Sequence, residues 1–304
     1  MRKGGGHFER LAKTALLCTM RSLLIWIALG AVVPVWAQRG SAYKSYLALG
    51  PSVGITNYKG DLDDDFTIKF TKPGFGFNLI YNFHPHLRAR IGYFQGWIGA
   101  ADSVSVDRFR KWRNLHFRSH LTEFHLIFMY EFFAHPRLYR FRPKFSPLIF
   151  AGVAVFNFDP KAKASDGRWY RLQPLGTEGQ FLNDPTRTYP KPYALTQVSI
   201  PMGIGARWTL SRQWDLWFEL GLRKTFTDYL DDVSDRYPPP NLMLAQMGPI
   251  AAELSDRSGY RAAGSSGYDA NDVRGFVNQK DWYVYTGIGV TYIIDPGERC
   301  PKFR

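Results

Sequence analysis

The residues with chemical potential fall into four groups, and none has the spacing of a catalytic motif. His116, His120 and His125 lie close in sequence. On an extended chain His125 has the opposite parity, so the three cannot face one metal. His84 and His86 share a turn with Pro85 and read as solvated. Asp61, Asp63, Asp64 and Asp65 form an acidic loop after Gly60. The loop lacks the distal Glu and flanking helices of an EF-hand and reads as a turn. Asp228, Asp231 and Asp232 form a second acidic group, for which calcium binding and simple solvation both remain open. Serines such as Ser211, Ser255 and Ser258 sit in no Gly-x-Ser-x-Gly context, and phosphate and dinucleotide loops are missing. The chain is therefore expected to be no enzyme and to need no metal or cofactor.

Charged residues form two further sets. Arg88, Arg90, Glu123, Glu131, Arg207, Asp215, Glu219 and Arg223 share one parity within alternating segments and are expected to pair with one another. The stretch 133–144 carries Arg137, Arg140, Arg142 and Lys144, interleaved with aromatics and with no acidic residue. Such a surface suits a protein partner or anionic headgroups, and the residues alone fit both.

The elements that hold these residues are strands. Period-2 alternation recurs in eight segments: 46–55, 74–82, 87–98, 116–132, 145–158, 193–208, 214–225 and 282–294. In 74–82, for example, Phe75, Phe77, Leu79 and Tyr81 alternate with Gly74, Gly76, Asn78 and Asn82. The fifth segment is apolar at both parities, so its faces are not assigned. Each segment has the ~9–11 residues with which a tilted strand crosses a bilayer. An even number of antiparallel strands closes without an edge, which lipid requires. Connections after the first, third, fifth and seventh segments are long, and the others are short. Long outside loops and short periplasmic turns are the pattern of outer-membrane barrels. Trp208, Trp214, Tyr81 and Tyr292 would line one interface, and Trp97 and Trp282 the other.

A soluble barrel with its apolar face inward has the same alternation. The glycine-rich second face favours a narrow lumen instead. The expected fold is all-β: an eight-stranded antiparallel transmembrane up-and-down β-barrel with long extracellular loops. Eight strands leave room inside only for side chains, so a wide pore is not expected.

Export agrees with this. Arg21 precedes an apolar run, Leu23 to Val33, about half the ~20 residues of a spanning helix. Val35 and Ala37 suit a signal peptidase, so 1–37 is read as a signal peptide, with Met20 an alternative start. The barrel domain is then 38–304. The formal charge is +13. Removing 1–37 takes away five basic residues and one acidic residue, which leaves +9. Only Cys300 then remains, so an internal disulfide is ruled out. Aromatics at 16% exclude a disordered chain, and export removes nucleic acid as a partner.

Five stretches resemble the outer-membrane barrel family of Bacteroidetes that includes PorG of the type IX secretion system. They are Asn57-Tyr58-Lys59-Gly60-Asp61-Leu62, Leu172 to Gln180, Gly221 to Ser234, Leu254 to Ser258, and Lys280-Asp281-Trp282-Tyr283. The resemblance implies a non-enzymatic barrel in the outer membrane, in contact with its lipids and with periplasmic secretion-ring proteins. Arg137, Arg140, Arg142 and Lys144 are then the docking candidates. Arg223, Lys224, Thr225, Asp228, Tyr229, Asp231, Asp232, Leu254, Ser255, Asp256, Arg257 and Ser258 carry the motifs and are expected to order the outer loops. A small channel or ligand-binding barrel is the alternative.

Overall fold

A computed structural model describes residues 43–63, 68–136, 138–258, 267–270, 272–276 and 279–294. The expected signal peptide 1–37, the loop residues Asp64 and Asp65, and Arg137 lie outside the described residues.

Among the described residues nine strands form one sheet: β1 (Tyr46–Lys59), β2 (Lys72–Asn82), β3 (Leu87–Ala101), β4 (His116–Glu131), β5 (Phe145–Lys163), β6 (Trp169–Arg171), β7 (Thr196–Thr209), β8 (Trp214–Thr225) and β9 (Trp282–Ile294). Every neighbouring pair is antiparallel. β1 pairs with both β2 and β9, and β4 with β5, so eight strands close into a barrel. β6 is a three-residue addition on β5, beyond the barrel wall. Among the described residues three short helices sit in the long connections: α1 (Arg108–Arg113), α2 (Pro240–Met247) and α3 (Pro249–Ser255).

The two faces of each strand are inverted relative to a soluble protein. On β2, Phe75, Phe77, Leu79 and Tyr81 are all exposed, while Asn78 and Asn82 are buried. On β4, Phe124 and Phe128 are exposed, while Glu123 and Glu131 are fully buried. Apolar side chains outside and ionised ones inside are stable only if the outer solvent is hydrocarbon. This excludes the soluble barrel, whose apolar face would point inward. Among the described residues no helix is long and apolar enough to cross a membrane; the strands do the crossing.

Aromatic rings border the apolar band at both ends. At the short-turn rim Trp214 packs on Tyr292 at 5.1 Å and Phe145 on Trp208 at 5.1 Å. At the long-loop rim Phe75 meets Trp97 at 6.0 Å. Such rings suit the boundary between headgroup and hydrocarbon.

The lumen differs from the expectation in one respect: it is layered rather than uniformly polar. Leu148, Phe150, Phe156 and Phe158 of β5 all point inward and are buried. Phe156 and Phe158 join Tyr58, Ile98, Leu121 and Tyr283 in an apolar plug towards the long-loop rim. A strand with lipid on one face and this plug on the other is apolar at both parities, which is why its pattern could not be assigned.

Candidate functional site

The charged layers of the lumen come from side chains of one parity on facing strands. In the middle, Arg90 Nη1 lies 2.6 Å from Glu219 Oε2, and Arg223 Nη2 lies 3.2 Å from Glu219 Oε1. Arg223 also lies 3.7 Å from Glu123, which accepts from the Tyr283 hydroxyl at 2.5 Å. Nearer the short turns, Glu131 meets Arg88 at 2.6 Å, Arg207 at 3.1 Å and His135 Nε2 at 2.5 Å. The eight charged residues expected to share the lumen do so. Cations also rest on rings: Arg90 lies 5.2 Å from the Trp217 ring, and Arg223 5.2 Å from that of Tyr285. Beside Arg88, Arg90 and Glu219 remains an enclosed cavity of about 20 Å³, room for roughly one water.

Burial, and then Arg88, lower His135 to about 4, so its ring is neutral. Its Nε2 lies 2.5 Å from Glu131, 2.8 Å from Arg88 and 3.1 Å from Arg207, and its Nδ1 lies 3.2 Å from the Tyr46 hydroxyl. His135 belongs to the 133–144 turn, which therefore folds back across the barrel mouth.

That fold-back corrects the docking set. Arg142 is buried; its Nη2 lies 2.8 Å from Asp215, and it donates to the carbonyls of Tyr139, Ser211 and Arg212. An acidic partner absent from its own turn reaches it from the start of β8, so Arg142 closes the mouth and offers no surface. Arg140 is half-buried and Lys144 exposed. Phe141 between them is 70% exposed.

At the other rim the five motif stretches converge. The Tyr58 hydroxyl lies 2.7 Å from Asp231 Oδ2 and 2.8 Å from Asp281 Oδ1. Thr225 donates to the Asp281 carbonyl at 2.6 Å. Asp232, at φ 68° in the left-handed region, accepts from Tyr193 at 2.6 Å and from Thr177. Asp228 accepts from Ser234 at 2.6 Å, and Tyr229 stacks on Tyr193 at 4.6 Å. Leu254 is buried in the apolar plug. Ser255 donates to the Thr177 carbonyl at 2.5 Å. Asp256 caps the backbone of Ser258 and Tyr268, and Arg257 holds the Lys163 carbonyl. Lys224 stands outside, 5.6 Å from the Trp282 ring. Arg223 is a second motif residue outside the loops, since it points into the lumen.

Two arginines outside the motifs lock this cap. Arg113 grips Asp102 with both forks, at 2.7 and 2.8 Å, and donates to the carbonyls of Arg274 and Asp61. Arg274 lies 3.0 Å from Glu178 and binds the carbonyl of Asp232. Arg113 finds Asp102 within its own connection and the Asp61 and Arg274 carbonyls in other loops, whereas the partners of Arg274 all lie in other segments of the chain.

Burial raises four carboxyls of the cap. Asp228 is pushed up to about 7 and Asp232 to about 6; Asp231 and Asp281 lie well above the usual range. Asp228, Asp231 and Asp232 turn to different partners. Among the described residues no three His, Cys, Asp or Glu side chains converge as metal ligands. Asp228 instead lines a cavity of about 390 Å³, open at the rim, with Gln197, Tyr229, Ser234 and Lys280.

Residues 33–168 match the family described as "Domain of unknown function (DUF6089)". No curated protein matches the sequence. Among solved structures the chain is similar to the N-terminal β-barrel domain of Pseudomonas aeruginosa OprF. That match has 12% identity and a TM-score of 0.34 over 83% of this chain and 100% of the other. It is similar to Neisserial surface protein A, with 8% identity and a TM-score of 0.39 over 82% and 98%. It is also similar to a major outer membrane protein from Thermus thermophilus, with 14% identity and a TM-score of 0.38 over 83% and 100%.

Proposed function

We propose that this chain is a non-enzymatic outer-membrane barrel that serves as an anchor, a docking component of the type IX secretion system. The observation that carries the anchor reading is the filled lumen. Among the described residues paired charges, an apolar plug and a folded-back turn fill the lumen, which favours a scaffold over a channel. The motif resemblance supports the secretion assignment. On this reading the long loops face outward and the short turns face the periplasm. The periplasmic face then presents Phe141 and Lys144, an exposed aromatic and a cation on the turn that closes the mouth. Aromatic and basic residues at one spot are what a protein partner buries.

The test is affinity capture of the tagged full chain from solubilised outer membranes. Periplasmic ring proteins should come with it, and Phe141→Asp with Lys144→Glu should reduce their recovery. A deletion strain that secretes its cargo normally would refute the assignment.

A further inference from the structure

A basic ledge runs across the outside of the barrel just above the aromatic belt of the long-loop rim. Strand register places it. Gly99 of β3 stands opposite Arg118 of β4, Arg118 opposite Lys161 of β5, and Lys161 opposite Arg171 of β6. All four positions share the outward parity of Trp97 and Phe124. One row below, Trp97 stands opposite His120, and their rings are 5.3 Å apart. One row above, Lys163 stands opposite Trp169. The Arg118 guanidinium lies 3.6 Å from the centre of the Trp169 ring. Asp159 is the acid in this patch; it pairs with Lys161 at 3.1 Å and Arg171 at 2.7 Å. Four cations against one carboxylate leave a clear positive excess.

A groove of about 470 Å³ lies beside the ledge, with Gly99 and Ala101 in its floor. These small residues leave the wall low between Trp97, Trp169 and Arg118 on one side and Phe70 and Lys72 on the other. Hydrocarbon cannot satisfy guanidinium and ammonium groups on a lipid-facing wall. At the height of the belt they meet headgroups instead, and Lys and Arg there attract phosphate.

We infer that this ledge and groove bind the phosphorylated sugar headgroup of an outer-leaflet glycolipid. The phosphates sit on Arg118, Lys161 and Arg171, and the sugar ring sits against Trp169 and Trp97. β6 has no part in closing the barrel, and this gives it a role: it carries Arg171 and Trp169 to the site. The inference rests on the outer-membrane reading, because only that orientation turns the long-loop rim towards glycolipid.

The full chain, folded in zwitterionic detergent, is titrated with diphosphoryl lipid A, with its dephosphorylated form and with inorganic phosphate, following tryptophan fluorescence. Diphosphoryl lipid A should bind roughly tenfold or more tightly than the dephosphorylated form. The exposed triple variant Arg118→Gln, Lys161→Gln, Arg171→Gln should lose that preference, while Lys144→Gln at the other rim keeps it. Trp169→Ala should weaken both glycolipid forms. Millimolar inorganic phosphate that abolishes lipid binding would point to a free-anion site and overturn the headgroup assignment. Equal affinity of the triple variant and the native chain overturns the site alone, provided the native chain fractionates with the outer membrane. A chain that fractionates elsewhere overturns the outer-membrane reading as well.

Discussion

Tyr58 and Asp281 meet across the seam of the barrel, phenol oxygen to carboxylate oxygen at 2.8 Å, although one ends the first strand and the other precedes the last. The same hydroxyl lies 2.7 Å from Asp231. A phenol has one hydrogen and cannot donate fully to two carboxylates. One of the two aspartates therefore holds a proton and donates it to the phenolic oxygen. Gly60 makes room for this contact: a Cβ there would stand 1.9 Å from Asp281 Oδ1 and 2.0 Å from the Tyr58 hydroxyl. Asn57 to Leu62 and Lys280 to Tyr283 thus meet at the point where the first and last strands are held together.

Tyr58→Phe should loosen the cap and leave the barrel intact. It removes the hydroxyl that both acids share and leaves each with a backbone donor, Val233 N–H for Asp231 and Leu230 N–H for Asp281. Losing one partner of a buried polar group costs about 1–3 kcal/mol. Limited proteolysis should cut faster within 226–258 than in the native chain, with the heat-stable barrel band unchanged on electrophoresis. Equal cutting rates would show that the hydroxyl holds nothing.

Gly60→Ala should have a similar but larger effect. The added methyl meets the Tyr58 ring carbon that bears the hydroxyl at 2.6 Å, and a ring held on both sides cannot simply rotate away. Forced repacking of this kind costs about 1–3 kcal/mol, on top of the hydrogen bonds it displaces. Faster amide exchange at Leu230 and Val233 in Gly60→Ala than in Tyr58→Phe is the expected ranking; the reverse ranking counts against a steric role for the glycine.

The cap should be tighter in acid than in base. Asp228 keeps its proton in the folded cap up to about pH 7 and Asp232 up to about pH 6, against an ordinary 3.8. At these two carboxyls the folded cap thus holds more protons between about pH 4 and pH 7 than the unfolded segment, so their contribution to its stability falls as pH rises through that window. Asp231 and Asp281 extend the trend upward. Amide exchange across 226–258 should be slower at pH 5 than at pH 8 after correction for intrinsic rates. Asp228→Asn should flatten part of the difference.

How much of this was legible in the sequence follows from its periodicity. Phe75, Phe77, Leu79 and Tyr81 announce a lipid-facing strand because alternation survives wherever one face is apolar and the other is not. β5 hid its faces because Phe150, Phe156 and Phe158 fill the lumen as Ile149, Val153 and Val155 face lipid. That Arg90 and Glu219 share the lumen was legible from parity; which charges pair there was not. The burial of Arg142 was not, since Asp215 lies 73 residues away and only the folded turn brings them together. Arg274 was missed for the same reason, since Glu178 lies 96 residues away; Arg113 has Asp102 eleven residues before it, but the alternation that marks a strand does not reach into that connection.

Arg142 offers the sharpest test of the corrected docking reading. Replacing it with Glu sets a carboxylate beside Asp215 inside the mouth, where breaking a buried pair costs about 3–5 kcal/mol. The expected outcome is lower thermal stability and a turn that cuts readily with protease. Lys144→Glu, on the exposed face, should leave stability unchanged and affect partner recovery alone. If both variants lose the partner while both remain fully stable, Arg142 is a surface residue after all and the folded-back turn is wrong.

The filled lumen predicts silence in a planar bilayer. Ions need a continuous wet path, yet the cavity beside Arg90 has room for roughly one water, and the plug around Phe156 and Leu121 is buried and apolar. The native chain should therefore show no conductance above background at any salt concentration. Removing one wall of the plug by Phe156→Ala should not suffice, because the charged layers below still interlock. Phe156→Ala combined with Arg90→Ala and Glu219→Ala opens one wall of the plug and removes one ion pair, yet should stay silent too, because Glu131 still binds Arg88 and Arg207 below and Arg142 still closes the mouth. Steps already present in the native chain would revive the channel reading and remove the observation on which the anchor rests.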